Sequence, residues 1–193
     1  HAFALAEKGI EVTAADNLPS YIDEIKTKAT ETGLPVKAVL SGALDFTPDE
    51  QFDLVLCMGN SLNFFNEKDT GRLLANISGM LKKGGSLLVN SWSLAEIVFK
   101  NFRDNGWSTI NGMKFLTSSK ILFHPTRMEF ESTIIAPDGS EEVKQGTDYI
   151  FSINEMDAMM NRAGLSIKEI YSIPGRKKFT VGEPRAYIVA EKN

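Results

Sequence analysis

Apolar positions along this chain recur first at helix and buried-strand spacings in alternation, and then, past residue 113, with a strict period of two. The opening His1-Ala-Phe-Ala-Leu-Ala-Glu-Lys8 reads as a helix stopped by Gly9, and an apolar run over 10–15 ends at Asp16. Ser20 with Asp23 three residues on predicts a capped helix start. Tyr21, Ile22, Ile25 and Ala29 share one face of that helix before Gly33 stops it. A short strand is expected over 36–40. The run Phe52-Asp-Leu-Val-Leu-Cys-Met58 is short and apolar, which favours a buried strand, and Gly59 ends it. Asn66 with Asp69 opens a further helix with Leu73, Leu74, Ile77, Met80 and Leu81 as its stripe, and Gly84-Gly85 punctuates before a strand over 86–90. Strands and helices that alternate in this way predict a parallel sheet.

The pattern changes after Trp92. A helix is expected over 93–102, and then residues alternate: Met128, Phe130, Ser132 and Ile134 on one side, Arg127, Glu129, Glu131 and Thr133 on the other. That is a half-solvated antiparallel strand. Pro137-Asp138-Gly139 gives a turn, and Val143, Gln145, Thr147, Tyr149 and Phe151 carry the period onto the return strand. Ser152 with Glu155 is a capping box, and the helix it starts buries Met156, Met159, Met160 and Ala163 before Gly164 ends it. The methionines read as core filler. Strands over 165–171 and 185–191 close the chain.

Composition narrows the function classes. A chain of 193 residues, 42% hydrophobic and 24% charged, suits one core, so 1–193 is expected to be a single domain with 93–151 as a lid or insertion within it. A net charge of −4 offers no basic footprint for nucleic acid. The single Cys57 cannot form an internal disulfide, which points to a reducing, cytoplasmic home. With only His1 and His124 beside it, no zinc-type ligand set can be assembled, and no metal is expected. No apolar stretch approaches the roughly 20 residues of a membrane span.

In an open parallel sheet, ligands sit beyond the carboxyl ends of the strands. Asp16 closes one strand, and its carboxylate can accept ribose hydroxyls; Asn17 follows, and Leu18 can cover a purine face. The weaker signal Ser41-Gly42-Ala43-Leu44-Asp45 closes another, where backbone groups can meet an adenine edge. At the third end, Met58-Gly59-Asn60-Ser61-Leu62, the glycine lets a ligand approach the backbone while Asn60 and Ser61 offer hydrogen bonds. Each segment also has a plain reading as a strand-to-helix turn. A ribose-binding acid follows a glycine-rich turn by roughly 20 residues. Counting back from Asp16 runs off the chain, so the first strand and glycine turn are expected to lie outside it.

Together these segments resemble the class I S-adenosylmethionine-dependent methyltransferases, particularly the small-molecule N-methyltransferases similar to glycine N-methyltransferase. The resemblance rests on HAFALAEKGIEVTAAD, FDLVLCMGNSL and LLANISGMLKKGGSLLV, and on MMNRAGLSIKEIYSI with RAYIVAEK at the end. It implies a Rossmann-like, doubly wound α/β sheet with a reversed terminal hairpin and an antiparallel β insertion. In such a sheet the strands ending at Asp16 and Met58 do not bond directly to each other. It also implies S-adenosylmethionine as cofactor, a small-molecule partner, and in-line methyl transfer to an amine or oxygen nucleophile. By resemblance Asp16 binds ribose, Leu18 and Leu44 sandwich adenine, Gly42 and Ala43 offer backbone contacts, and residues 58–60 face the methionyl arm and substrate. The adenine-side acid common in the family is replaced by Gly42 or Ala43, with Asp45 near enough to substitute. The insertion is where the family builds its substrate lid, which makes Trp92, Trp107, Arg127 and Tyr171 acceptor-pocket candidates; for each, packing or a surface position is the stronger expectation.

Asn60 and Ser61 are the candidates for orienting the nucleophile. A nicotinamide-dependent reductase of the short-chain type would need Tyr-x-x-x-Lys, which none of Tyr21, Tyr149, Tyr171 or Tyr187 supplies. A methyltransferase-like binding subunit without catalysis is the other alternative.

Overall fold

Gly9 and Gly33, both left-handed with φ of +80° and +66°, punctuate the first 50 residues of the computed structural model, which describes residues 1–193. Two units emerge, 1–50 and 51–193. In the first, helix α1 (Ala2–Ala6) precedes strand β1 (Val12–Asp16), helix α2 (Pro19–Thr32) and strand β2 (Val36–Leu40). The strands pair in parallel, Val12 opposite Val36 and Asp16 opposite Leu40. Only Ala6 and Ile22 are fully buried within these elements. The capping expectation at Ser20 is corrected: α2 already begins at Pro19, which puts Ser20 inside its first turn, and Leu18 is an N-cap with no side-chain bond. Proline fixes φ near the helical value and lacks the N–H that a first-turn residue would leave unpaired.

The second unit opens with β3 (Phe52–Cys57), a 3₁₀ turn over Ser61–Phe64, α3 (Glu67–Met80) and β4 (Leu81–Ser91). Asn66 caps α3 as its sequence predicts, accepting from the Asp69 N–H at 2.9 Å. Leu73, Leu74, Ile77 and Met80 are buried on the inner face of α3. Gly84-Gly85, expected to separate helix from strand, lies inside β4 as a bulge. Phe52 pairs with Leu81 but Leu54 with Ser86, and a Cβ on Gly85 would sit 2.9 Å from the Lys82 carbonyl and 3.1 Å from that of Phe52. Only glycine lets the backbones approach so closely.

After helix α4 (Ala95–Asn101) come four antiparallel strands, β5 (Asn105–Ile110), β6 (Met113–Phe123), β7 (Thr126–Ile135) and β8 (Glu141–Tyr149). Strand β5 was not foreseen; all of its residues are exposed, so no apolar alternation marks it. The register bears out the two faces expected of β7, but it sets Val143, Gln145, Thr147 and Tyr149 of β8 on the charged side, opposite Thr133, Glu131, Glu129 and Arg127. Ile121, Met128 and Asp148 share one side, as do Ser119, Phe130 and Gly146, while Lys120, Glu129 and Thr147 stand on the other. The capping box at Ser152 and Glu155 starts α5 (Ile153–Arg162), which buries Met156, Met159 and Met160.

β9 (Leu165–Ile173), the short β10 (Lys177–Lys178) and β11 (Ala186–Lys192) complete a five-stranded sheet of order β10-β9-β11-β4-β3. β3 and β4 are parallel, whereas β11 runs antiparallel to both β4 and β9, the reversed terminal hairpin. Within the first unit β1 pairs with β2, and within the second β3 pairs with β4. Leu74, Leu87, Val89, Met156, Met160, Leu165 and Ile188 form the core around this sheet, each buried to 2% exposure or less. Burial of such side chains stabilises by roughly 1.5–3 kcal/mol each. No helix is long and apolar enough to cross a membrane.

Candidate active site

In the first unit, parallel pairing brings the ends of β1 and β2 side by side: the Ser41 N–H donates to the Asp16 carbonyl at 2.9 Å. The Asp16 carboxylate folds back on its own turn, where Oδ1 accepts from the Leu18 N–H at 2.8 Å. An aspartate held in this way has one oxygen fixed and a second one open to a hydroxyl donor. Leu18 is 46% exposed beside it, an apolar surface at a strand end. Beyond β2, the Gly42 carbonyl accepts from the N–H groups of both Asp45 and Phe46, each at 3.0 Å, which makes 42–46 a tight turn with Leu44 half-buried. Asp16, Leu18, Gly42, Ala43 and Leu44 are thereby gathered at one edge of this unit, with Asn17 between Asp16 and Leu18.

In the second unit the end of β3 turns sharply. Gly59 and Asn60 are both left-handed, with φ of +70° and +65°. Asparagine tolerates this region better than other residues with a Cβ. The cause here is visible: Asn60 is 1% exposed and every side-chain bond it can make is made. Its Oδ1 accepts from the Trp92 N–H at 3.0 Å, the Ser93 N–H at 3.1 Å and the Ser91 hydroxyl at 3.1 Å. Its Nδ2 donates to Ser93 Oγ at 2.8 Å and to Asp148 Oδ2 at 3.0 Å. Ser93 Oγ in turn donates to Asp148 Oδ2 at 2.9 Å. Buried Asn63 extends the network, with Nδ2 donating to the Tyr149 carbonyl at 2.8 Å and Oδ1 lying 2.8 Å from the Ser91 hydroxyl. The loop after β4, the turn after β3 and strand β8 are thus joined by side chains.

The amide of Asn60 is committed to the protein, so what its turn offers a ligand is backbone. Gly59 is exposed, neither its N–H nor its carbonyl has an intramolecular partner, and nothing lies within 4 Å of where its Cβ would stand. Ser61 donates to the Met58 carbonyl at 2.9 Å and lies 3.3 Å from Cys57 Sγ. Burial pushes the Cys57 thiol up, with the Ser61 and Leu62 hydrogen bonds opposing.

The remaining candidates fall in different settings. Trp92, 46% exposed, directly follows β4 within the loop that Asn60 holds. Arg127 stands on the charged side of the β5–β8 sheet, its Nε on Glu129 at 3.0 Å and its Nη1 on the carbonyls of His124 and Pro125 at 3.3 and 3.1 Å. Tyr171 is half-buried in β9, opposite Tyr187 of β11 and Lys178 of β10. Trp107 is 78% exposed on β5, opposite Leu116.

Sequence reasoning missed Ser91, Ser93, Asn63 and above all Asp148. The last is 5% exposed, its Oδ1 is buried without any partner, and burial raises its pKa against the opposing hydrogen bonds from Ser93 and Asn60. No local signal marks it: by period two Asp148 falls with Glu142, Lys144 and Gly146, the polar side of β8, and only the pairing register sets it opposite Met128 on the inner face. A charge at an inward position is the observation that deserves a reason.

Residues 1–85 match the family described as a methyltransferase domain. The chain is 28% identical over 106 residues to a glycine/sarcosine N-methyltransferase of Aphanothece halophytica, a match covering 53% of this chain and 40% of that protein, so it spans less than half of that relative's length. Among solved structures it superposes on the CcbJ methyltransferase from Streptomyces caelestis with a TM-score of 0.86 at 19% identity, over 99% of this chain and 78% of that one. An amino pentose methyltransferase from Micromonospora echinaspora, solved with S-adenosylmethionine bound, gives a TM-score of 0.66 at 19% identity, over 95% and 74%.

Proposed function

We propose that this chain, a class I S-adenosylmethionine-dependent methyltransferase by domain match and fold, transfers the methyl group to the nitrogen of a small-molecule amine in a cytoplasmic setting. The observation that carries the reading is the exposed Gly59 peptide, unpartnered within the protein and held in a left-handed turn at the carboxyl end of β3. A carbonyl so placed accepts an N–H of an incoming amine, and an amine that donates there keeps its lone pair for attack. The donor set of 1–50 fits the cofactor's nucleoside half: Asp16 for ribose hydroxyls, Leu18 and Leu44 for the adenine faces, Gly42 and Ala43 for its edge. Met58 and Gly59 are assigned to the methionyl arm, Asn60 and Ser61 to orientation of the acceptor through their turn, and Trp92 to the acceptor's flank. Arg127 and Tyr171 remain acceptor candidates if the acceptor carries a carboxylate.

When bound, the cofactor supplies a sulfonium methyl that is electrophilic without further activation. The residues named have only to hold a neutral nitrogen in line at about 3–3.5 Å and keep water away. With the cofactor bound, methyl transfer to such a nitrogen would leave a sulfide and an ammonium, and the exposed Gly59 turn would let the ammonium's proton pass to solvent.

Two measurements test this. Calorimetry with S-adenosylhomocysteine should show binding that Asp16→Ala weakens. A panel of glycine, sarcosine and amino sugars should give turnover with at least one member. Binding without turnover of any amine or hydroxyl compound would turn the reading into that of a binding subunit, and absence of binding would remove it. For Arg127, unchanged steady-state kinetics in Arg127→Ala would exclude it from the acceptor pocket.

A further inference from the structure

Asp148 is a buried carboxyl with no cation beside it: the partners of its Oδ2 are the Asn60 amide and the Ser93 hydroxyl, and its Oδ1 has none. Burying such a group is costly, and an asparagine would offer the same acceptor oxygen without the charge. What a carboxylate adds is a stronger grip, since charge-assisted hydrogen bonds are shorter and roughly twice as strong as neutral ones. That grip falls on one particular group. The oxygen end of the Asn60 amide is fixed by the Trp92 and Ser93 N–H groups, and its nitrogen end by Ser93 Oγ and Asp148. With both ends held, the amide cannot turn, and the left-handed backbone at Gly59 and Asn60 is fixed with it.

We propose that Asp148 is a positioning residue for methyl transfer: presented by lid strand β8, it locks the Asn60 amide and so sets the direction in which the Gly59 peptide meets the acceptor. The proposal rests on the methyltransferase reading of the same turn. It makes the lid a part of the acceptor-orienting device. Asp148 touches neither cofactor nor acceptor; it acts through Asn60.

The test compares the full chain with Asp148→Ala and Asp148→Asn in three measurements: amide hydrogen exchange, S-adenosylhomocysteine binding, and steady-state kinetics with the best amine of the panel above. In Asp148→Ala, exchange at the Trp92 and Ser93 amides should quicken by about tenfold, the scale of one net hydrogen bond to a charged group, while Val89 and Ile188 in the central ladder stay unchanged. Cofactor-product affinity should hold within about twofold, the scatter of independent sites, and kcat should fall about tenfold or more with KM little altered. Asp148→Asn, which keeps an acceptor oxygen for Asn60 and Ser93 but not the charge, should recover about half of both losses on a logarithmic scale.

Faster exchange with kcat untouched would overturn the positioning role and leave a purely structural network. Exchange unchanged in Asp148→Ala would show that Asp148 does not hold Asn60. Equal losses of kcat and cofactor-product binding, or faster exchange at Val89 and Ile188, would show general damage and equally overturn it. A wild-type chain that binds no S-adenosylhomocysteine would overturn the methyltransferase reading itself, a result separate from all of these because it needs no variant.

Discussion

The turns after β1 and β3 begin alike, a strand end followed by a polar residue with an amide or carboxylate, and end up opposite. Asp16 satisfies one oxygen with the N–H two residues ahead and keeps the other open, in a turn flanked by an exposed leucine. Asn60 is sealed, its partners coming from residues 31 to 88 positions away. A side chain satisfied locally stays available to a ligand. One satisfied by distant segments becomes a rivet between them, and the ligand-facing duty passes to the neighbouring backbone.

The contrast can be broken most sharply at Asn60. Asn60→Ala strands the buried donors of Ser93 and Trp92 and leaves alanine in the left-handed region, and the folding free energy should fall by about 3–4 kcal/mol. A urea midpoint shifted by less than a quarter of that would mean the network is ornamental. Asp16→Ala should do the reverse: cost under about 0.5 kcal/mol of stability, as surface changes do, but weaken cofactor binding by about 1.5–3 kcal/mol. Calorimetry with unchanged affinity would take Asp16 out of the site.

A smaller effect is expected at Gly146, two residues before Asp148 on the same face. A Cβ there would lie 2.3 Å from the Phe130 ring, so Gly146→Ala should push β8 from β7 and cost about 1–3 kcal/mol, read as a lowered melting temperature that Phe130→Leu partly restores.

The smallest is a pH dependence. Burial raises the Asp148 pKa in the folded state, so the folded protein holds that proton more tightly than the unfolded chain. Its contribution to stability is therefore fully present below the unfolded pKa and is lost as pH rises through the folded one. Against Asp148→Asn, the wild type should lose relative stability as pH rises above the ordinary carboxylate range near about 4. Parallel curves for the two proteins would show that the carboxyl titrates as an exposed one does.

Local chemistry was legible in the sequence wherever partners sit within one turn. The Asn66 cap, the Ser152–Glu155 box and the inward methionines of α5 follow from spacings of three and four residues. The two faces of β7 follow from a period of two. What was misread depends on distant backbone or on missing contrast. Gly84-Gly85 looked like an interruption because part of what demands glycine there, the carbonyls of Phe52 and Asp53 beside that of Lys82, comes from some thirty positions back. β5 has no apolar face to betray it. Asn60 was singled out for its chemistry, but the donors that occupy it come from Ser91, Trp92, Ser93 and Asp148, and nothing in the local string Met58-Gly-Asn-Ser announces them.

Cys57, the only cysteine, ends β3 immediately before that turn, its thiol hydrogen-bonded near Ser61 and its pKa pushed up by burial. Since alkylating reagents attack the thiolate, the closed protein is a slow target and the opened strand a fast one. The chain therefore carries its own clock: the rate at which iodoacetamide modifies Cys57 counts how often the β3 end comes loose, and a bound ligand that steadies the turn should be seen as silence at this single sulfur.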